Sequence, residues 1–143
     1  GGEYVEKVNE FMQDSSLLCV MGMRALRLGA PIKRKASRHY LGRVFATIVS
    51  MMLKLPVYDT QCGAKIFKVS ICSETFKDSF VSKWFFDVEL LFRMKSLYSI
   101  GVDSSKIYEL PLHSWKDVAG SKLKFSDFLS TPFELLKIYK HYC

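Results

Sequence analysis

Apolar positions recur along this chain with helical spacing in some stretches and as short unbroken runs in others. A period of about 3.6 residues predicts an amphipathic helix, and a short apolar run predicts a buried strand. Residues 38–55 keep the helical pattern until Pro56, which ends it, and Gly42 is their only other weak point. In chain order, the predicted elements are helix 4–12, strand 16–23, helix 38–55, strand 64–70, helix 82–97, strand 106–115 and helix 125–142, with a break at Pro132. This alternation indicates an α/β fold.

Length and composition favour one domain. The chain has 143 residues, of which 49% are hydrophobic and 24% are charged, and this is typical of a globular protein with its own core. Neither an internal repeat nor a low-complexity linker divides it. The four cysteines show no metal-ligand spacing, and no secretory leader precedes them, so we expect a protein that faces the cytosol.

Positive charge is concentrated in one segment. The formal net charge is +7, and no acidic residue occurs between Ser15 and Tyr58. The basic residues of segment 24–43 are Arg24, Arg27, Lys33, Arg34, Lys35, Arg38 and Arg43. A run of charge is often a solvated surface. Because no acids interrupt this one, it equally predicts an anion site for nucleic acid, a lipid headgroup or a phosphorylated metabolite.

The helix predicted over 38–55 is unusually apolar. Its stretch 44–53 contains no charge. Spanning a bilayer takes about 20 apolar residues, so this run is too short. The helix is then either a buried core helix or a helix that lies in a membrane interface. Both descriptions hold if one face packs inward and the other meets lipid.

Four stretches together carry a family resemblance. They are "MRALRLGAPIKRKASRHYLGR", "YDTQCGAKIF", "SKWFFDVELLFR" and "ELPLHSWKDVAGSKL". In this order they resemble the C-terminal half of a family 2 glycosyltransferase, within the branch of dolichyl-phosphate β-glucosyltransferases and dolichol-phosphate mannose synthases. The resemblance covers roughly residues 19–142. Its most specific part is "DTQCG-x-K" followed about 20 residues later by "W-x-FDVELL".

The resemblance implies a GT-A fold, of which this chain is the acceptor-side part. The donor-binding half of such enzymes ends in a D-x-D metal motif, and no D-x-D occurs here. Asp87 and Glu89 come nearest, but two positions apart on a predicted helix they point about 200° apart. We therefore expect residues 1–143 to form a single partial domain without a metal site. The full-length enzyme would use Mg²⁺ or Mn²⁺, while this portion alone would be inactive and would self-associate through exposed sheet edges.

The implied reaction transfers a sugar, with inversion, from a nucleotide diphosphate sugar to a polyprenyl phosphate at the cytoplasmic face of a membrane. Such an acceptor is an anion with a long apolar tail. The basic segment 24–43, followed by the apolar helix 38–55, supplies cations beside an apolar surface. By resemblance, Arg24 and Arg43 are the best phosphate ligands and Arg38 is the next, because a guanidinium fork matches phosphate oxygens.

The loop that begins at Asp59 would lie under the sugar donor. Short polar side chains can bind sugar hydroxyls, and a glycine lets the backbone approach closely. The resemblance therefore implies Asp59, Thr60, Gln61 and Gly63 as sugar-site residues. An Asx-turn that joins helix to strand is the structural alternative.

Catalytic and diphosphate roles are also implied. Asp87 aligns with the general base of many family 2 enzymes, but a phosphate acceptor is already anionic, so Asp87 is either a base or an orienting carboxylate. The "GSK" at 120–122 resembles the loop that closes over the donor diphosphate, which implies Ser121 and Lys122 as its ligands. Lys116 is added to them by the same resemblance, because it stands where mannose synthase relatives carry an arginine.

Two other classes of function remain open. A nucleic-acid-binding domain would interleave basic and aromatic residues on one face, whereas here the basic residues cluster in one segment. We therefore expect no nucleic-acid partner. A non-catalytic membrane-docking module is the second alternative, and liposome binding without transfer activity would support it.

Overall fold

The α/β architecture predicted from the sequence is confirmed. The structure is a computed structural model that describes residues 2–29, 31–33, 36–116 and 125–143. Its elements are α1 (Gly2–Gln13), β1 (Cys19–Met23), β2 (Ile32–Lys33), α2 (Ala36–Leu53), β3 (Lys65–Phe67), α3 (Val69–Thr75), α4 (Phe86–Tyr98), β4 (Ile107–Pro111), β5 (Trp115–Lys116) and α5 (Phe125–Tyr142).

The buried run "CVMGM" forms the central strand of a three-stranded sheet. β1 pairs with β4 in parallel and with β3 in antiparallel orientation, which gives the order β3-β1-β4. A second, two-stranded sheet joins β2 and β5 in parallel. Because β1 and β4 run in the same direction, the segments that follow them leave the sheet at the same edge.

Helices cover both faces of β1, whose side chains alternate between the faces. Cys19 and Met21 belong to a core cluster with residues of α2, α4 and α5 such as Val49, Leu91 and Ile138. Val20 belongs to a second cluster, which α1 closes. The sheet is therefore packed between α1 and the α2, α4 and α5 group.

Gly22 brings a loop onto β1. Its backbone N–H donates to the carbonyl of Ala64 at 2.6 Å. A Cβ added at Gly22 would lie 3.1 Å from the Cβ of Ala64 and 3.1 Å from the Sγ of Cys62. The absent side chain thus lets the segment that follows Asp59 lie directly against the end of β1.

Several predictions about secondary structure were wrong in detail. The strand predicted over 16–23 begins at Cys19, and the helix predicted over 82–97 begins at Phe86. The strand predicted over 64–70 ends at Phe67, and α3 begins two residues later. The strand predicted over 106–115 is divided into β4 and β5, because the two segments pair with different partners. The expected break at Pro132 does not occur, and α5 continues through it. Leu135 and Ile138 are buried beyond the proline, and their packing holds the helix together.

α2 has both an inward and an outward apolar face. Val49 and Leu53 are fully buried, whereas Val44 and Met51 are 60% and 66% exposed. The core-helix interpretation is therefore correct for one face, and an apolar surface remains on the other. Among the described residues, no helix is long and apolar enough to cross a membrane.

A buried carboxylate ties α4 and α5 to the loop that precedes α4. Glu89 is fully buried and accepts hydrogen bonds from the backbone N–H of Val81 at 2.9 Å and of Ser82 at 2.6 Å. The hydroxyl of Tyr142 donates to Glu89 at 3.0 Å and accepts from Nε of Arg93 at 2.9 Å. The last turn of α5 is thus fixed to α4 by polar bonds as well as by apolar packing.

Tyr142→Phe is expected to lower the free energy of unfolding by about 1–2 kcal/mol, because it deprives Glu89 and Arg93 of a shared partner. Urea unfolding followed by circular dichroism measures the loss. Tyr139→Phe is the matched control, since Tyr139 is exposed on the same helix. Equal stability of the two variants would contradict a structural role for the Tyr142 hydroxyl.

Candidate functional site

Arg24 and Asp59, two of the predicted site residues, form an ion pair. Arg24 directly follows β1, and its Nε and Nη2 donate to the two carboxylate oxygens of Asp59 at 2.7 and 2.8 Å. The backbone N–H of Arg24 donates to the same carboxylate at 3.1 Å. The guanidinium carbon also lies 5.3 Å from the ring centroid of Trp115. Arg24 is therefore held in one orientation at the edge of the sheet.

Glu109, the middle residue of β4, holds the loop that carries Asp59. Its carboxylate accepts from the backbone N–H of Tyr58 at 2.8 and 2.9 Å and from that of Asp59 at 2.8 Å. Sequence reasoning gave Glu109 no role. The available signal was an acidic residue between apolar neighbours in "YELPL", since a buried carboxylate is retained only where donors meet it.

Burial raises the pKa of Glu109, although the two backbone N–H groups oppose that shift. The folded state then binds this proton at a higher pH than the unfolded state, whose ordinary pKa is 4.5. In that window the free energy of unfolding falls as pH rises. We therefore expect wild type to lose stability relative to Glu109→Gln as pH increases above 4.5 through the folded-state pKa. Thermal unfolding of both proteins across this range tests the sign, and parallel curves would contradict it.

Arg43 reaches the same loop from α2. Its Nη1 donates to the carbonyl of Tyr58 at 3.2 Å, and its guanidinium carbon lies 3.7 Å from the centroid of the Tyr58 ring. Stacking on an aromatic face orients a guanidinium and leaves its edge available to an anion. The structure therefore brings Arg43, a predicted acceptor-phosphate ligand, to the loop that carries Asp59, a predicted sugar-site residue.

These residues line one cleft between α2 and the loop. Its walls are Arg24, His39, Gly42, Arg43, Phe45, Ala46, Tyr58, Asp59, Thr60 and Gln61. Oγ1 of Thr60 and Nε2 of Gln61 are buried and have no hydrogen-bond partner among the described residues. Unpaired buried polar atoms are rare in proteins, so their place beside two arginines marks the cleft as a candidate ligand site.

Asp87, the predicted base, is paired with Lys65. Nζ of Lys65 lies 2.8 Å from Oδ1 of Asp87 and donates to the carbonyl of Cys62 at 2.5 Å. Burial raises the pKa of Asp87, while the hydrogen bond from Lys65 opposes the shift. Asp87 does not line the cleft. Lys65 was given no role, although it is the lysine of the quoted "DTQCG-x-K" motif.

The remaining predicted residues lie apart from this cleft or outside the described residues. Gly63 is exposed, and a Cβ added to it would meet nothing within 4 Å, so the described structure does not require glycine there. Lys116 is exposed at the end of β5. The side chain of Arg38, and all of Ser121 and Lys122, lie outside the described residues.

The described carboxylates do not fit a divalent cation. In the described part of the chain, no group of three or more His, Cys, Asp or Glu side chains could hold a metal ion. Asp59 and Asp87 each accept from a basic side chain, and Glu109 accepts from backbone N–H groups. These carboxylates are thus already paired in the described structure, and the Mg²⁺ or Mn²⁺ of the full-length enzyme stays a prediction.

The fold and the cleft define an α/β protein with two arginines and unpaired polar atoms around one site. Eight curated proteins match its sequence. It is 31% identical over 137 residues to the dolichyl-phosphate beta-glucosyltransferase ALG5A of Trichomonas vaginalis, which covers 95% of this chain and 40% of that relative. It is 30% identical over 145 residues to the dolichyl-phosphate beta-glucosyltransferase of Homo sapiens, covering 96% of this chain and 43% of the relative. The Saccharomyces cerevisiae enzyme is 35% identical over 94 residues, which cover 66% of this chain and 26% of the relative.

These matches confirm the resemblance to family 2 glycosyltransferases. The chain belongs to the dolichyl-phosphate beta-glucosyltransferase family, and it spans about two fifths of the length of the relatives from Trichomonas vaginalis and Homo sapiens. No family model matches the chain. No solved structure matches it either.

Proposed function

We propose that the whole protein transfers a sugar, with inversion, from a nucleotide diphosphate sugar to a dolichyl-type polyprenyl phosphate at the cytoplasmic face of a membrane. This chain would hold the acceptor. The names of the relatives, all dolichyl-phosphate beta-glucosyltransferases, support the reaction and favour glucose as the sugar. The observation that carries the proposal for this chain is the cleft, where two guanidinium groups meet unpaired polar atoms.

In this proposal Arg43 is the main ligand of the acceptor phosphate. A guanidinium has five N–H donors, and Arg43 gives one hydrogen bond to the carbonyl of Tyr58. Its stacking on Tyr58 limits the entropy that is lost when a phosphate binds. Arg24 contributes charge from the other wall of the cleft while Asp59 fixes its orientation.

Thr60 and Gln61 would bind the transferred sugar. Their unpaired atoms offer a hydroxyl and an amide N–H₂, which suit sugar hydroxyls. Asp59, whose carboxylate accepts from the Arg24 guanidinium, keeps its predicted place at the sugar site as a proposal. Gly63 would contribute through its exposed backbone.

Asp87 acts in this proposal as an orienting carboxylate. The acceptor phosphate is already an anion at neutral pH and needs little proton removal. The ion pair with Lys65 fixes the Asp87 carboxylate beside the loop. Lys116, Ser121, Lys122 and Arg38 keep their predicted phosphate and diphosphate roles as proposals, as does the divalent cation.

The test is transfer by the full-length protein from nucleotide diphosphate glucose or mannose to dolichyl phosphate in vesicles. We expect a glucosyl lipid whose anomeric configuration, read by NMR, is opposite to that of the donor sugar. Retention of configuration would contradict the inverting reaction, and absence of transfer from both donors would contradict the proposed function. The chain alone binding vesicles while the full-length protein transfers no sugar would instead indicate a docking module.

A further inference from the structure

α2 and α5 form an apolar surface that is separate from the residues of the cleft. On each helix the exposed apolar positions are three to four residues apart, so they form a stripe along one side. Phe133 is the most exposed of them on α5, at 75%. The stripes consist of Val44, Ile48 and Met51 on α2 and Leu129, Phe133 and Leu136 on α5.

A groove joins the two stripes. α2 and α5 both pack against α4, and between them the walls include Ile48, Met52, Pro132, Leu136 and Tyr139. The surface of this groove is almost entirely carbon. The two stripes and the groove together are called the α2–α5 face below. Contiguous apolar surface of this kind marks an interaction site on a soluble domain.

Positive charge borders the α2–α5 face. No acidic residue occurs between Ser15 and Tyr58, a segment that includes all of α2. Lys54 is exposed just after this helix. On α5, Lys137 and Lys140 are exposed beyond Phe133. Glu134 lies about 100° around the helix from Phe133, away from the centre of the stripe. An apolar surface with a basic border complements the hydrocarbon and the anionic headgroups of a lipid leaflet.

We propose that the α2–α5 face docks onto an anionic phospholipid bilayer, with α5 as a second interfacial helix beside α2. Protein interfaces usually carry a hydrogen bond for every 100–200 Å² of buried area, and the carbon-lined groove offers few groups to make them. A lipid leaflet requires none. Tyr139 at the groove presents an apolar ring with a polar tip, which suits a bilayer interface.

This docking specifies which surface attaches the protein to the membrane, and it rests on the proposed function. Arg43 lies on α2, five residues and about 7.5 Å of helix rise before Ile48. Docking through the α2–α5 face would therefore hold the Arg43 cleft close to the headgroups. An acceptor whose phosphate lies among them could then reach Arg43 without leaving the leaflet.

The experiment measures binding of the 143-residue chain to phosphatidylcholine vesicles that contain phosphatidylserine and no polyprenyl phosphate, by co-sedimentation. Leu136→Asp should weaken binding at least about tenfold, because it removes buried hydrocarbon and adds a charge. Phe133→Asp should do the same. The matched control is Leu97→Asp on α4, since Leu97 is 49% exposed and Leu136 is 50% exposed. We expect this control to bind as wild type does.

Leu136 and Phe133 are both exposed, so we expect their replacement to leave the fold intact. Thermal unfolding of each variant checks that a loss of vesicle binding is not a loss of folding. Equal vesicle binding by Leu136→Asp and Leu97→Asp would overturn the proposal. A second result would also overturn it: Leu136→Asp changes the oligomeric mass of the chain in solution but leaves vesicle binding intact. The α2–α5 face would then join two copies of the chain. Because these vesicles contain no sugar acceptor, failure of the transfer reaction would leave this result unaffected.

Discussion

Replacing Glu109 by alanine is expected to lower the free energy of unfolding by about 2–5 kcal/mol. The substitution leaves the backbone N–H groups of Tyr58 and Asp59 without their acceptor in a partly buried loop. Each unsatisfied buried donor costs about 1–3 kcal/mol. Release of this loop also loosens the carboxylate that holds Arg24. One substitution should therefore weaken both the fold and the cleft.

Chemical denaturation of the chain measures this loss, and Glu74→Ala is the matched control because Glu74 is exposed on α3. Glu109→Gln should recover part of the stability, since its amide oxygen can still accept from the loop. We expect the farnesyl phosphate affinity of folded Glu109→Ala, measured by ³¹P NMR, to fall as well. If Glu109→Ala lowers the free energy of unfolding no more than Glu74→Ala does, then other contacts hold the loop.

The sequence predicted the long elements because their patterns are local. The helix expected over 125–142 has those bounds in the structure, and that expected over 38–55 runs from Ala36 to Leu53. The apolar run "CVMGM" is buried as expected of a central strand. In each case the period of the apolar residues depends on one element and its buried face alone.

The features that the sequence missed depend on contacts between distant segments. β2 and β5 have two residues each, too few to show a period, and they exist because they pair with each other. Nothing local in "YELPL" shows that Glu109 meets a loop about 50 residues away. Lys65 likewise meets Asp87 only after β3 and α4 have packed.

The candidate site was predicted through quoted motifs, and the structure adds how its members meet. Arg24 and Asp59 were assigned to acceptor and donor, and their ion pair joins the two sides of the cleft. Thr60 and Gln61 were predicted as sugar-site residues because their side chains are polar. That Oγ1 and Nε2 lack hydrogen-bond partners among the described residues is visible only in the structure. Sequence identifies residue types at a site, and tertiary packing decides which of their atoms are still unpaired.

Arg43→Ala in the full-length protein is expected to reduce kcat/KM for polyprenyl phosphate about 10- to 150-fold while donor binding stays nearly unchanged. A hydrogen bond to a charged group contributes roughly 1.5–3 kcal/mol, which corresponds to that range. Arg43→Lys should recover only part of the loss, because an ammonium group lacks the guanidinium fork and stacks less well on Tyr58.

Acceptor kinetics at saturating donor measure this effect, and thermal unfolding of each variant is recorded beside them. Arg27→Ala is the matched control, because Arg27 belongs to the same basic segment, is exposed and does not line the cleft. It removes the same charge, so any long-range electrostatic effect appears in both variants and is screened by salt in both. Arg43→Ala should lose more kcat/KM for polyprenyl phosphate than Arg27→Ala does. The extra loss that persists at high salt measures direct phosphate binding. If Arg43→Ala unfolds the protein, or if its acceptor kinetics match those of Arg27→Ala, then Arg43 supports the Tyr58 loop and the phosphate binds elsewhere.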